Sequence, residues 1–350
     1  MISQLKIKNF TVFEEATFSF AEGVNVIIGS NGAGKSHLLK LAYTAARWSQ
    51  EMALKEKGGT RPDKLTLQKE LGGKFVRVFR PDALGRLTSR GGVRRTTVNV
   101  GFKNQPKAGF DFSFSTKSTT EVNLDKTPEE FFNEEVVFFP TKEMLSMFPG
   151  FTGLYRDKEI SIDETYFDLC IALEKTLLKG RRFDEINDLL APVEKILGGK
   201  IKIDNGRFYL VEDGGSRFEI SLVAEGFRKL GAVAYLLANG TLSKQSILFW
   251  DEPETNLNPA YMARVAELLV SIARNGTQVF VATHSLFIMR ELSMLLGKAD
   301  NSDVKRCFIA LDSTEKGAVA RTGMSAEEIE PIKALDAEID QSQRYMDLQH

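Results

Sequence analysis

Cysteine, histidine and long apolar runs are all scarce in this 350-residue chain. Its two cysteines, Cys170 and Cys307, are far apart and each lies in an apolar stretch, which favours buried thiols over a disulfide framework or a metal site. No apolar run approaches the roughly 20 residues of a membrane span, and the N-terminal segment lacks the apolar stretch of a secretory signal. We therefore expect a cytoplasmic protein that makes no membrane contact.

Net charge is also nearly absent, since the formal value is -1, so the whole chain carries no electrostatic signal for nucleic acid. Charge is nevertheless uneven along the chain. The stretch from Arg77 to Lys107 holds eight basic residues against the single acid Asp82, and the segment from Met324 onward holds seven acids against two bases. Solvated surface and binding surface are both open interpretations, and the basic stretch is the candidate contact for DNA.

The first 48 residues predict two short strands, then a buried strand and then a helix. Gln4–Phe10 and Thr17–Phe20 fit short strands, and the nearly continuous apolar run Val24–Ile28 is typical of a strand buried on both faces. A glycine-rich loop follows that run directly. Apolar residues then recur at helical spacing from Leu38 to Ala46.

Residues 49–133 differ in character and predict a basic, β-rich insert. Glycine, proline and threonine separate short alternating stretches, among them Phe75–Phe79, Thr96–Phe102 and Phe110–Phe114. We therefore expect a small antiparallel subdomain placed after the first helix.

Residues 134–312 return to the pattern of a doubly wound α/β domain, with a helical subdomain at about 160–200. Asn205-Gly206 marks a hairpin turn, because both residues tolerate positive φ. The predicted elements are strand Glu135–Phe139, helices Asp163–Lys179 and Arg181–Leu197, hairpin strands Lys200–Ile203 and Arg207–Val211, helix Glu225–Ala238, strand Ser246–Trp250, helix Pro259–Arg274 and strands Gln278–Ala282 and Val304–Leu311. Residues 313–350 are expected to form an acidic tail with a helix, and no heptad run predicts a long coiled coil.

The glycine-rich loop carries the strongest functional signal. Its residues match the phosphate-binding pattern G-x-x-x-x-G-K-[ST], and the strand before it and the helix after it supply the required context. The backbone N–H groups and the helix N-terminus would cradle phosphates, Lys35 would reach the β- and γ-phosphates, and Ser36 would bind Mg²⁺. The predicted ATP-binding residues here are Gly29, Ser30, Asn31, Gly32, Ala33, Gly34, Lys35, Ser36 and the adjoining His37.

Two acids end the strand that begins at Ser246. Asp251 is the predicted second magnesium contact, and Glu252 is the candidate that orients or deprotonates an attacking water. His284 follows the strand Gln278–Ala282 and so ends at the same sheet edge. We interpret Lys35, Glu252 and His284 as the catalytic residues of an ATPase.

Taken together, GSNGAGKS, AEGFRK, ILFWDEPETNLNP and VATHS resemble the motifs of soluble ABC-type ATPases. The resemblance is greatest to the branch that contains RecF, the SMC proteins and the OLD-type ATPases of bacterial defence. It covers residues 1–48 and 134–312 and implies a P-loop core with a mixed, largely parallel sheet.

The resemblance also implies a head-to-tail homodimer that encloses ATP between the glycine loop of one subunit and the signature segment of the other. Ala224, Glu225 and Gly226 would then face the partner's γ-phosphate, and Thr255–Pro259 would cross the seam. Ala224 stands where the family usually has serine, so backbone N–H groups, with Arg228 or Lys229, would have to compensate.

Other family features are less well matched. No glutamine marks the magnesium-sensing loop, although 139–143 lies in a suitable place, and Phe10 and Phe13 are candidates to contact adenine. Only 66 residues follow His284, too few for the nuclease domain of OLD-type relatives.

The leading functional hypothesis is an ATPase whose nucleotide-dependent dimerisation regulates a separate nuclease or toxin, as in phage defence. The alternative is a RecF-like DNA-binding ATPase in repair. A transporter ATPase subunit ranks below both, because nothing in the sequence indicates a membrane-docking surface.

Overall fold

A computed structural model of the chain describes residues 1–180, 186–314, 317–332, 340–341 and 343–348. The strands are β1 (Ile2–Phe10), β2 (Phe13–Ser19), β3 (Val24–Gly29), β4 (Arg95–Phe102), β5 (Phe110–Ser115), β6 (Asn123–Lys126), β7 (Val136–Phe139), β8 (Gly199–Asp204), β9 (Arg207–Glu212), β10 (Arg217–Glu219), β11 (Ile247–Asp251), β12 (Gln278–Thr283), β13 (Arg306–Thr314) and β14 (Gly317–Gly323). The helices are α1 (Lys35–Lys57), α2 (Lys64–Phe79), α3 (Phe151–Arg156), α4 (Glu164–Leu173), α5 (Asn187–Leu197), α6 (Glu225–Ala238), α7 (Pro259–Arg274) and α8 (Leu286–Gly297).

A six-stranded sheet in the order β14-β13-β3-β12-β11-β7 forms the centre of the fold. All neighbours in it are parallel except β13 and β14, which are antiparallel. The strands β3, β11 and β12 are buried along their whole length, as their continuous apolar runs predict. Because these three strands are adjacent and parallel, their carboxyl ends bring the glycine loop, the acidic pair and His284 to one edge.

A second sheet, in the order β2-β1-β4-β5-β6, is antiparallel and packs with α1 and α2 on one face of the central sheet. The strands predicted between residues 96 and 114 are therefore present, but they pair with β1 and do not form a separate sheet. The boundary expected after residue 48 falls inside α1. The strand expected at Phe75–Phe79 is wrong, because these residues end α2, which Asp63 caps by accepting a hydrogen bond from the Thr66 N–H.

The helices α4 to α8 pack with the β8–β9 hairpin on the other face. The hairpin turn was predicted correctly, and Asn205 and Gly206 have φ values of 48° and 71°. Helices α6 and α7 have the predicted bounds, whereas α4 and α5 are shorter than expected. Residues 181–185 of the expected helix Arg181–Leu197 lie outside the described part of the chain.

A buried ionic network joins α1, α2 and α4. Lys74 of α2 is fully buried, and its ammonium lies 2.7 Å from Asp168 and 2.8 Å from Glu51. Burial opposes ionisation of Asp168, but Lys74 and Arg47 outweigh it and hold its pKa below the ordinary value. The helix that leaves the glycine loop is thereby fixed to its neighbours.

The predicted acidic tail begins with an unforeseen strand, β14, which pairs along β13. Further on, residues 340, 341 and 343–347 are helical. Among the described residues, each helix is too short or too polar to cross a bilayer.

Candidate functional site

The glycine loop connects β3 to α1 at the carboxyl edge of the central sheet. Gly32 and Gly34 have φ values of 80° and 97°, which favour glycine. A Cβ at Gly34 would lie 2.5 Å from the Val12 side chain, so the β1–β2 turn also requires glycine there. The loop conformation is therefore fixed by its own glycines and by the neighbouring turn.

Lys35 begins α1, and its buried ammonium turns back over the loop. It donates hydrogen bonds to the carbonyl oxygens of Gly29 at 2.8 Å and Ser30 at 3.1 Å. Since an ammonium has three donors, one remains for an anion. Burial lowers the pKa of Lys35, an effect that Glu252 and Asp251 oppose.

Ser36 and Asp251 meet across the sheet edge. The Ser36 hydroxyl donates to Asp251 Oδ1 at 3.2 Å, which links the start of α1 to the end of β11. Burial raises the pKa of Asp251 to about 6, with a smaller contribution from the charge of Glu252. A cation between these two oxygens would therefore remove a substantial electrostatic cost.

Glu252 follows β11 in a left-handed conformation with a φ of 51°, and its N–H donates to the Ala282 carbonyl at 2.8 Å. This conformation is unusual for a residue with a Cβ and is held by the surrounding structure. His284 Nδ1 lies 3.3 Å from Glu252 Oε1. Both side chains are partly exposed, so the sheet edge presents a carboxylate and an imidazole together.

Glu254 is a member of this cluster that sequence reasoning missed. It is 4% exposed, and its Oε1 accepts hydrogen bonds from the Thr283 hydroxyl at 2.6 Å and from the His284 N–H at 3.1 Å. Its Oε1 also lies 3.4 Å from His284 Nδ1. The run D-E-P-E shows an additional acid, but the sequence does not show that this acid is buried.

The signature segment opens α6 on the surface. Ala224 is exposed and provides no side-chain hydrogen bond to cap the helix. Gly226 is buried against the loop after β11, where a Cβ would lie 2.9 Å from the Asn256 carbonyl. The start of α6 and the loop 255–258 therefore form one continuous surface.

The two cations expected to compensate for Ala224 are held inside their own subunit. Arg228 Nε lies 2.9 Å from Glu143 Oε1, and the guanidinium also donates to the Val223 carbonyl at 2.8 Å. Lys229 is 2% exposed and its ammonium donates to the Thr255 carbonyl at 3.3 Å. Burial lowers the pKa of Lys229, and nearby carboxylates oppose that shift. The backbone N–H groups of α6 are thus the remaining donors of this segment.

The segment after β7, proposed for magnesium sensing, lies beside the cluster. Thr141, Lys142 and Glu143 line an open cavity with Glu252 and Asn256. Glu143 is buried, and the Ser146 N–H donates to its Oε2 at 3.2 Å. The carboxylate at the expected place of a glutamine is therefore already engaged by Arg228 and Ser146.

Three other candidates for nucleotide contact differ in burial. Phe10 and Phe13 are fully buried in the core, which contradicts a contact with adenine. The His37 ring lies 6.0 Å from the Phe79 ring, and its buried Nδ1 has no hydrogen-bond partner among the described residues. Burial lowers the pKa of His37, so its neutral form is favoured.

The basic stretch from Arg77 to Lys107 is partly neutralised. Arg77 pairs with Glu164 at 2.8 Å and Arg94 with Glu14 at 3.1 Å, and Lys103 and Lys107 pair with Glu22 and Glu129. Its other members lie on the exposed surface: Arg80, Arg86, Arg90 and Arg95.

The residues at the sheet edge fit a nucleotide with Mg²⁺. Ser36 and Asp251 offer hard oxygen ligands, which suit Mg²⁺, and the loop offers N–H donors for phosphate. No group of three or more His, Cys, Asp or Glu residues capable of holding a metal occurs in the described parts of the chain. No such group is required, because phosphate oxygens and water complete the coordination shell of Mg²⁺ in sites of this kind.

Two families of AAA domains match this chain. The family described as "AAA domain, putative AbiEii toxin, Type IV TA system" matches residues 132–290, and one described as "AAA domain" matches residues 4–138. Together they reach from the first strand to the start of α8.

The curated relatives match over short segments. The DNA double-strand break repair Rad50 ATPase of Pyrococcus abyssi is 38% identical over 71 residues, which are 17% of this chain and 8% of that protein. The DNA replication and repair protein RecF of Bacillus cytotoxicus is 42% identical over 45 residues, which are 13% of this chain and 12% of the relative. The matches thus span only about a tenth of those relatives.

Solved structures show the fold across nearly the whole chain. An SMC head bound to the C-winged helix domain of ScpA has a TM-score of 0.57 at 15% identity and covers 93% of this chain and 98% of that one. An SMC head from Pyrococcus furiosus, with an extended coiled coil and bound to the C-terminal domain of ScpA, has a TM-score of 0.51 at 13% identity, with coverage of 97% and 99%. The described residues of the present chain contain no long coiled coil.

Proposed function

We propose that this chain, a homologue of the ABC-type ATPase heads of the SMC, RecF and Rad50 proteins, binds and hydrolyses ATP at the carboxyl edge of its central sheet. The observation that carries the proposal is the meeting of Ser36, Asp251, Glu252 and His284 beside the glycine loop. The chain also resembles this family in motif order. The fold brings Ser36 and Asp251 together, although they are more than 200 residues apart in the chain.

The proposed division of labour follows from the local chemistry. Bound ATP with Mg²⁺ would supply the phosphoanhydride and the charge that polarises it. Lys35 and the loop N–H groups would bind phosphate, while Ser36 and Asp251 would hold the metal. Glu252 would orient a water and accept its proton, and His284 would contact the transferred phosphate or that water.

We place the second half of the site on another copy of the chain. The exposed start of α6 and the exposed residues after Glu252 lie on one surface, as a sandwich dimer requires. Leu222 and Met147 beside this surface are 76% and 44% exposed, and such apolar side chains favour a protein contact. Without a signature hydroxyl and with Lys229 buried, the second half would rely on backbone N–H groups, so we expect slow hydrolysis.

Slow hydrolysis coupled to dimerisation suits a switch better than a motor. We therefore propose that the ATP-bound dimer regulates a separate nuclease or toxin. We assign this role to phage defence, the setting of the OLD-like ATPases that the chain resembles. The match to a family whose description names an AbiEii toxin supports a role in a toxin system, and it identifies no partner. Co-purification from the native host with mass spectrometry is the direct way to find it.

Lys35→Ala tests the ATP site. We expect the variant to lose affinity for a fluorescent ATP analogue by at least about 100-fold, because it loses a buried charge that contacts phosphate. Lys55→Ala is the matched control, since Lys55 lies on the same helix but pairs with Glu70 on the surface. Unchanged nucleotide binding by the Lys35 variant would rule out the assigned cradle.

DNA binding is the second candidate, supported by the RecF and Rad50 relatives and by the arginines that the basic stretch presents at the surface. If the surface binds DNA, reversal to glutamate at Arg90, Arg94 and Arg95 should weaken binding, and the affinity of the wild type should fall steeply with salt. Reversal of Lys55, Lys57 and Lys69 on α1 and α2 changes the net charge by the same amount and is the control. DNA affinity that is unaffected by the arginine reversal would exclude this surface.

A further inference from the structure

We infer that Glu254 is a positioning residue for ATP hydrolysis, whose buried carboxylate fixes the Thr283–His284 turn and thereby places His284 beside Glu252. This inference rests on the proposed function, because it assigns a role within the same site. It concerns a side chain that the glycine-loop and acidic-pair motifs do not include.

The first step of the argument is burial. Glu254 is 4% exposed, and burying an ionised carboxylate is costly unless hydrogen bonds compensate. Its Oε1 receives two such bonds, both from the end of β12. Its Oε2 is also buried and has no hydrogen-bond partner among the described residues. A carboxylate retained under such conditions is explained better by the geometry that it fixes than by packing.

The second step is what those hydrogen bonds control. Thr283 is the last residue of β12, and Ser285 caps α8 by accepting a hydrogen bond from the Ile288 N–H. Glu254 holds the peptide between them, so the backbone of His284 cannot rotate without breaking the bond at 3.1 Å. A third contact is at the ring, where Nδ1 lies 3.4 Å from Glu254 and 3.3 Å from Glu252.

The third step is the orientation of the imidazole. Two carboxylates face Nδ1, so the tautomer with its proton on that nitrogen can donate to them. The ring is thus held by one edge, which leaves Nε2 as the nitrogen able to accept a hydrogen bond from a water. Glu254 therefore acts through His284 and itself contacts neither nucleotide nor water.

A double-mutant cycle in ATP hydrolysis tests the inference. We expect Glu254→Ala to lower kcat at least tenfold while KM for ATP changes less than about threefold, because binding residues are untouched. Adding Glu254→Ala to His284→Ala should slow the reaction no further, since both changes remove the same function. Glu254→Gln should recover much of the loss, because its amide oxygen can accept both hydrogen bonds. Glu267→Ala on the exposed face of α7 is the control for an unrelated acid.

A second measurement does not depend on activity. Hydrogen exchange at the His284 amide should accelerate in Glu254→Ala and return towards the wild-type rate in Glu254→Gln, with nucleotide affinity retained in both. Wild-type protein without ATPase activity would contradict the proposed function alone, since amide exchange still tests the positioning role. An unchanged kcat, additive effects in the double mutant or an unchanged amide exchange rate would each overturn the inference.

Discussion

At the scale of single residues, Asp251 shows how the site is poised for a cation. The carboxyl is 6% exposed, and burial raises its pKa from the ordinary 3.8 to about 6. Between these values the folded chain binds more protons than the unfolded chain, so stability falls as pH rises through this window. Above pH 6 the ionised group therefore destabilises the protein when no cation is bound.

Asp251→Asn should consequently stabilise the metal-free protein at pH 7.5, by an amount on the order of 1–3 kcal/mol. The gain should shrink at pH 5, where the wild-type carboxyl is largely protonated when folded. The same variant should lose the thermal stabilisation that Mg²⁺ with ATP gives the wild type. Thermal unfolding at both pH values is the measurement, and a lower melting temperature for the variant at pH 7.5 would contradict this account.

Sequence reasoning reached Lys35 and Ser36 through the fixed spacing of their motif. It reached Asp251, Glu252 and His284 because they follow predicted strands, and the structure brings these residues to one sheet edge. Their roles remain predictions. Spacing could not reveal the burial of Glu254. The pairing of Arg228 with Glu143 was also invisible, since it joins segments 85 residues apart in the chain through tertiary contact.

At the scale of elements, the contact between α6 and the loop after β11 joins the signature segment to the loop that we expect to cross the dimer seam. Gly226 allows this contact, because a Cβ there would lie 2.3 Å from the Leu257 side chain and 2.9 Å from the Asn256 carbonyl. Leu257 can rotate, whereas the backbone carbonyl can only shift. A side chain at position 226 would therefore separate the signature helix from the seam loop.

Gly226→Ala should leave the protein folded and able to bind ATP but lower its hydrolysis rate by about tenfold or more, because the displaced elements would face the other subunit in the proposed dimer. Gly153→Ala is the matched control, since Gly153 is also helical and a Cβ there would have no neighbour within 4 Å. The comparison is the ATPase rate at equal protein concentration. Equal rates for the two variants would show that this contact is not required.

Elements with strong local signals were predictable, and those that depend on partners were not. Helix α7 begins at the predicted residue because Asn258 caps it and Pro259 occupies its first position. Helix α2 was misread because Phe75–Phe79 is rich in Phe and Val, which favour strands, although Leu67, Leu71, Phe75 and Val78 follow helical spacing over the longer window. Strand β14 is defined by pairing with β13, which its own weak pattern does not indicate.

At the scale of the whole molecule, the layers on both faces of the central sheet leave its carboxyl edge, with the candidate site, open at the surface. One face of the central sheet is covered by α1 and the antiparallel sheet, and the other by α6, α7 and α8. The carboxyl edge remains accessible, with Glu252 and His284 partly exposed and Ala224 beyond them. This arrangement supports the proposal that a second copy completes the site.

The central claim is therefore an ATP-dependent dimer, and Glu252→Gln tests it most directly. Without the carboxylate that activates water, the variant should retain ATP, because the phosphate cradle and the magnesium contacts persist. Light scattering coupled to size-exclusion chromatography should show a dimer with ATP and Mg²⁺ and a monomer without them, while Lys35→Ala/Glu252→Gln remains monomeric throughout. A Glu252→Gln protein that binds ATP yet elutes only as a monomer would contradict the account.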